Sequence, residues 1–225
     1  MPGKEWTTLS EKKTKDILII FLRAPEPGRV KTRLAGAVGD QRALSLYKQF
    51  AAAVLAAADV WQANDRSSPR GREIRLFFYP ENKIRMMQAW LGHDRHYLPQ
   101  SGEDLGRRMA NAMAAAFKAG ADRCVLVGTD IPELKAHHLD EAFSGLKTSD
   151  VVLGPSFDGG YWLIGTCHGT FNPVIFEHID WGTGTVFSST TDRCRDHGLS
   201  MEILSFLRDV DTLADLNAIE GNGAV

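Results

Sequence analysis

Residues 17–22, Ile-Leu-Ile-Ile-Phe-Leu, are six apolar side chains in a row. A strand wetted on one face alternates apolar and polar residues, whereas an unbroken run suits a strand covered on both faces. That feature confines the chain to a central sheet with helices on either side. The rest of the sequence supplies both kinds of element in alternation. Residues 74–79, 124–128, 150–154, 161–166 and 201–204 read as further strands, with a short extended piece at 95–99. Residues 41–62 place Leu44, Tyr47, Ala51, Val54, Leu55, Ala58 and Trp61 at helical spacing, and Asp40 is positioned to cap that helix. Helices are expected over 82–91, over 104–119 with Gly120 as terminator, near 137–146, and over 183–197 despite its many Thr and Ser residues. Thr212 and Asp215 have the spacing of a capping box before a last helix.

This order predicts an α/β fold: a mostly parallel central sheet flanked by helices on both faces, Rossmann-like. With 225 residues and 44% hydrophobic side chains, residues 16–225 are expected to form one domain behind a polar tail over 1–15. The lysines of that tail, Lys12, Lys13 and Lys15, read as a solvated segment, and Ser67–Gly71 as a surface loop. A net charge of −2 offers no basic field for a nucleic-acid backbone. The apolar run near the start is too short for a membrane span or a signal core, so no membrane span is expected. Cys124, Cys167 and Cys194 match neither a disulfide framework nor a zinc spacing, which points to the reducing cytoplasm.

In sheets of this kind ligands bind beyond the carboxyl ends of the strands. The residues there carry chemistry. From Arg23 to Arg33 the chain packs two prolines, Gly28 and four cations into eleven positions. A stiff loop with a glycine lets backbone approach a ligand, and Arg and Lys donate to phosphate oxygens. Neither a complete P-loop nor a dinucleotide G-x-G-x-x-G is present. Gly128-Thr129-Asp130 follows the 124–128 strand; a carboxylate there suits Mg²⁺, or equally an Asx-turn. Asp158-Gly159-Gly160 follows the 150–154 strand and reads both as a tight turn and as a place for a general base. Asp211 precedes the last helix, as a metal ligand or a cap. The patch Gln100–Met109, which contains Arg108, leads into a helix.

Taken in order, the segments FLRAPEPGRVKTRL, QSGEDLGRRM, GTDIP, VVLGPSFDGGYWLIG and DVDTLADL resemble the nucleotide-diphospho-sugar transferase superfamily with the GT-A fold. The resemblance covers about residues 17–220. It is closest to a bacterial branch described as glycosyltransferases, related to phospholactate guanylyltransferase and the molybdenum-cofactor nucleotidyltransferases. It implies that Arg23, Gly28, Lys31, Arg33 and Arg108 meet nucleotide phosphates. It implies that Asp130 and Asp211 hold Mg²⁺ (or Mn²⁺), that Asp158 is catalytic, and that Gly159, Gly160 and Tyr161 face the sugar or acceptor. Many GT-A enzymes carry Asp-x-Asp where this chain has Gly128-Thr129-Asp130, which leaves room for the second ligand from Asp211.

The implied partners are a nucleotide or nucleotide sugar and a small-molecule acceptor. Glycosyl transfer is the leading expectation. Nucleotidyl transfer, with release of pyrophosphate from a nucleoside triphosphate, is the alternative. A nucleotide-binding module without catalysis is the third reading.

Overall fold

The computed structural model describes residues 15–67 and 71–222. Lys12, Lys13 and the loop positions Ser68, Pro69 and Arg70 lie outside them. Seven strands form one sheet: β1 (Lys15–Arg23), β2 (Gly71–Tyr79), β3 (Tyr97–Pro99), β4 (Arg123–Val127), β5 (Val151–Pro155), β6 (Tyr161–Cys167) and β7 (Met201–Ile203). Their spatial order is β3-β2-β1-β4-β6-β5-β7. Every neighbouring pair is parallel except those of β6, which runs antiparallel to β4 and β5. The expected mostly parallel sheet is therefore present. Lys15, placed by sequence at the end of the tail, is instead the first residue of β1.

The central position of β1 accounts for its unbroken apolar run. Leu18, Ile20 and Leu22 face one layer, and Ile17 and Ile19 face the other, all at most 1% exposed. The first layer holds α2 (Asp40–Ala63), α3 (Ile84–Leu91) and α5 (Ala136–Gly145). The second holds α4 (Leu105–Lys118) and α6 (Val186–Asp196). By length and composition alone α2, with 24 residues, is apolar enough to cross a membrane, the mean hydropathy of its most apolar stretch being 1.2. Its apolar side, from Ala43 to Trp61, is instead packed into the core.

Helix ends follow local chemistry. Asp104 caps α4 by accepting from the Arg107 amide at 2.7 Å. Gly120 follows α4 at φ +89°, a conformation that favours glycine. Asp40 does not cap α2. Gly39 takes that place without a side-chain bond, and Asp40 becomes the first helical residue, where its charge suits the helix dipole. The reason is a short helix absent from the sequence reading, α1 (Thr32–Val38), which ends directly against α2. The capping box forms as expected at α7 (Leu213–Asn222): the Asp215 amide donates to Thr212 Oγ1 at 3.3 Å, and the Thr212 amide donates to Asp215 Oδ2 at 2.9 Å.

Candidate active site

The loop after β1 is built to bury one cation and expose others. A turn with Gly28 at φ +69° leads to Lys31, which sits at φ 49°, ψ 45°, just before α1. A non-glycine residue in this left-handed region costs on the order of 1–3 kcal/mol and persists only where its surroundings enforce it. Here the conformation accompanies a side chain that is only 3% exposed. Its Nζ lies 2.8 Å from Asp130 Oδ1 and 2.9 Å from Asp211 Oδ1. Arg33, two residues on, is 69% exposed, with Nη1 3.9 Å from Asp211 Oδ2. The Tyr47 hydroxyl accepts from the Arg23 amide at 2.8 Å and donates to the Arg23 carbonyl at 2.9 Å, so the end of β1 is pinned. The Arg23 and Arg108 guanidiniums lie 5.7 and 4.1 Å from the centroid of Tyr79, which brings two distant cations onto one aromatic ring.

The carboxylates arrive from three segments. Asp130 follows β4, and its carbonyl accepts from the Val210 amide at 2.9 Å. That bond belongs to a crossing segment, 204–212, tied to the tip of β5 by Leu204 and Leu207 amides that donate to Leu153 and Pro155 carbonyls. The crossing delivers Asp209 and Asp211 to the same cleft as Asp130. Asp158 comes from the β5–β6 turn, where its Oδ1 accepts from Ser156 Oγ at 2.7 Å and from the Gly160 amide at 2.9 Å. Crowding shows in the electrostatics. Burial, reinforced by Asp158 and then Asp211, pushes the Asp209 carboxyl up to about 7. Burial also raises Asp130, with Lys31 opposing. For Lys31 burial works against the ammonium, yet Asp130 and Asp211 outweigh it and its pKa is raised.

The cleft these groups line has a volume of about 560 Å³ and opens at the carboxyl ends of the parallel strands. Arg23, Lys31, Arg33, Arg108, Asp130, Asp158, Gly160, Tyr161 and Asp211 all border it. Three of the expected residues relate to it differently. Gly28 forms the preceding turn and lies outside the lining. Gly159 also lies outside: at φ +88°, an added Cβ would stand 2.1 Å from the Gly184 carbonyl oxygen. Its own carbonyl accepts from the Phe187 amide at 2.9 Å, so it fastens the Asp158 turn to the start of α6. Tyr161 borders the cleft, but its hydroxyl is buried.

Gly159→Ala is accordingly expected to lower stability by about 2 kcal/mol or more, from left-handed strain plus the clash with Gly184. Urea unfolding measures it, and a change within the roughly 0.5 kcal/mol typical of surface substitutions would refute the packing account.

The sequence reading missed several lining residues. Asp209 stands two positions before Asp211, and that period of two was a usable signal. Trp181, Gly182 and Thr183 come from a long loop after β6, the antiparallel strand, where the strand-tip rule does not reach. Tyr79 closes β2 as an aromatic among aromatics, and nothing in the sequence marks it as a seat for two arginines.

Asp130 and Asp211 are the residues that fit a divalent cation. Each presents an oxygen to one ammonium, so a single cation can reach both. Two carboxylates plus phosphate oxygens and water form an ordinary Mg²⁺ environment. Among the described residues no group of three or more His, Cys, Asp or Glu side chains forms a protein-only metal cage.

The family described as "Uncharacterized protein conserved in bacteria (DUF2064)" matches residues 62–183, more than half of the chain. Among solved structures, the chain is similar to a Desulfovibrio desulfuricans G20 protein described, provisionally, as a nucleotide-diphospho-sugar transferase. The identity is 35%, over 94% of this chain and 88% of that one, with a TM-score of 0.86. More distant likeness, which shows the fold alone, extends to two synthetases. CMP:2-keto-3-deoxy-manno-octonic acid synthetase complexed with CTP shares 12% identity over 94% of this chain and 99% of that one, TM-score 0.57. The 4-diphosphocytidyl-2C-methyl-D-erythritol synthase of Anaerococcus prevotii DSM 20548 shares 9% over 95% and 99%, TM-score 0.59. No curated protein matches the sequence.

Proposed function

Because the chain belongs to this bacterial family (DUF2064) and has the nucleotide-diphospho-sugar transferase fold, we propose that it is a nucleotide-utilising transferase that moves a glycosyl group from a nucleotide sugar to a small acceptor. One observation carries the reading: four cations and four carboxylates, from loops far apart in sequence, converge on one cleft at the strand tips. Arg23, Lys31, Arg33 and Arg108 are the donors for the diphosphate, the arginines with the option of bidentate contact. Asp130 and Asp211 hold Mg²⁺, which when bound supplies charge stabilisation for the departing diphosphate. Asp158 takes the proton of an acceptor hydroxyl, and the Gly160 amide beside it donates to Oδ1 and holds the carboxylate in place. Leu105, Met109 and Val186 supply apolar surface to the cleft beside these charges.

The cation-rich loop Arg23–Arg33 also favours a second reading, nucleotidyl transfer, since a triphosphate presents more charge to the same donors. Both readings require a phosphate-bearing nucleotide. A thermal-shift screen of nucleoside di- and triphosphates and nucleotide sugars, with and without Mg²⁺, tests that shared requirement. A ligand at about 100 times its Kd is expected to stabilise the fold by roughly 2.7 kcal/mol. A screen in which no phosphate-bearing nucleotide raises Tm would overturn both readings.

A further inference from the structure

The place where one divalent cation can reach both Asp130 and Asp211 is filled by the protein's own ammonium. Lys31 Nζ bonds to an oxygen of each carboxylate, at 2.8 and 2.9 Å, and the lysine side chain is almost wholly shielded from solvent. The Phe50 ring lies 6.0 Å from the same nitrogen. The backbone of Lys31 is held in the left-handed region, and Arg33, on the same loop, keeps its guanidinium in solvent. Asp209 and Asp158 line the same cleft, and Lys31 is the cation that bonds to both Asp130 and Asp211. Mg²⁺ needs oxygens at about 2.0–2.1 Å. The two carboxylates already converge on one point and would have to close on it by less than about 1 Å each.

We propose that Lys31 is a resident counter-ion that a divalent metal displaces, and that the released ammonium turns to the incoming phosphate. The inference rests on the reading of Asp130 and Asp211 as the metal ligands. It follows that metal and phosphate load together. Metal alone must compete with a tethered cation, while phosphate draws that cation away and vacates the carboxylates. Lys31 is thus a positioning residue that couples two ligands, besides being a phosphate donor.

The test measures Mn²⁺ binding to the full chain by electron paramagnetic resonance, with and without inorganic pyrophosphate. Wild type is expected to bind Mn²⁺ weakly alone and about tenfold or more tightly with pyrophosphate, a coupling of ordinary size. Lys31→Met is expected to bind Mn²⁺ alone about tenfold more tightly than wild type and to lose most of the pyrophosphate effect. Lys31→Arg, which keeps the charge, is expected to bind Mn²⁺ alone no more tightly than wild type; it covers the case in which the Met variant does not fold. Two outcomes overturn the proposal and are distinguishable. If Lys31→Met or Lys31→Arg departs from these expectations while Asp130→Asn abolishes Mn²⁺ binding, the metal ligands stand and the displacement does not. If Asp130→Asn leaves Mn²⁺ binding unchanged, the metal reading fails as well.

Discussion

Asp130→Asn is expected to abolish Mg²⁺-dependent nucleotide binding and to leave the fold intact. The position of the residue makes both halves of the result specific. Its backbone is fixed by β4 on one side and by the Val210 amide on the other, and neither depends on the side-chain charge. Asparagine keeps the shape and can still accept from Lys31 through its amide oxygen. The Asp130 side chain is 42% exposed, so the amide can be solvated, and the buried Lys31 ammonium keeps its charge contact with Asp211.

Binding is different, because the metal needs the anion. Loss of a charge-assisted contact costs about 1.5–3 kcal/mol, or roughly tenfold to more than a hundredfold in affinity. Calorimetry with a nucleoside diphosphate, in Mg²⁺ and again in chelator, separates the terms. Wild type should lose affinity on chelation and the variant should show one weak affinity in both. A variant that binds like wild type in Mg²⁺ would make Asp130 a turn residue only.

The sheet and the positions of its loaded tips were legible in the sequence for one physical reason. β1 is buried on both faces, and a doubly buried strand leaves an unbroken apolar run, after which the next residues must stand at a strand end. Lys31, Asp130 and Asp158 were reachable by that rule. What the sequence could not show is how these residues use one another. Lys31 reads as a free donor, yet it meets Asp211, 180 positions away, and that pairing depends on the crossing segment 204–212. Gly159 reads as room for a ligand, but it is room for the Gly184 backbone. The Trp181 loop carries no strand signal, so only the folded chain brings it to the cleft. Local chemistry marks a residue as charged or permissive; its partner is set by chain crossings that leave no local trace.

Asp158 is where turn and site must be separated, and its geometry allows it. Both of its observed bonds fall on Oδ1, from Ser156 Oγ and the Gly160 amide. Among the described residues Oδ2 receives no hydrogen bond, which leaves it as the oxygen able to face an acceptor in the cleft. Asp158→Asn keeps an accepting Oδ1 and therefore the turn, and replaces Oδ2 by a nitrogen that cannot take a proton. If Asp158 is the base for an acceptor hydroxyl, turnover is expected to fall by on the order of 10²-fold or more, with nucleotide affinity and Tm little changed. Asp158→Ala, which loses the turn bonds as well, should lower Tm in addition. The same assay identifies the bond that breaks. Glycosyl transfer cleaves the sugar carbon–oxygen bond and releases a nucleoside diphosphate. Nucleotidyl transfer cleaves at the α-phosphorus and releases pyrophosphate. An ionised phosphate acceptor has no proton to surrender and little use for a base at Asp158. Nucleoside diphosphate as product, together with the large loss in Asp158→Asn, is therefore the expected pair of results. Pyrophosphate release from a nucleoside triphosphate, with Asp158→Asn nearly as active as wild type, would replace the glycosyl reading with the nucleotidyl one.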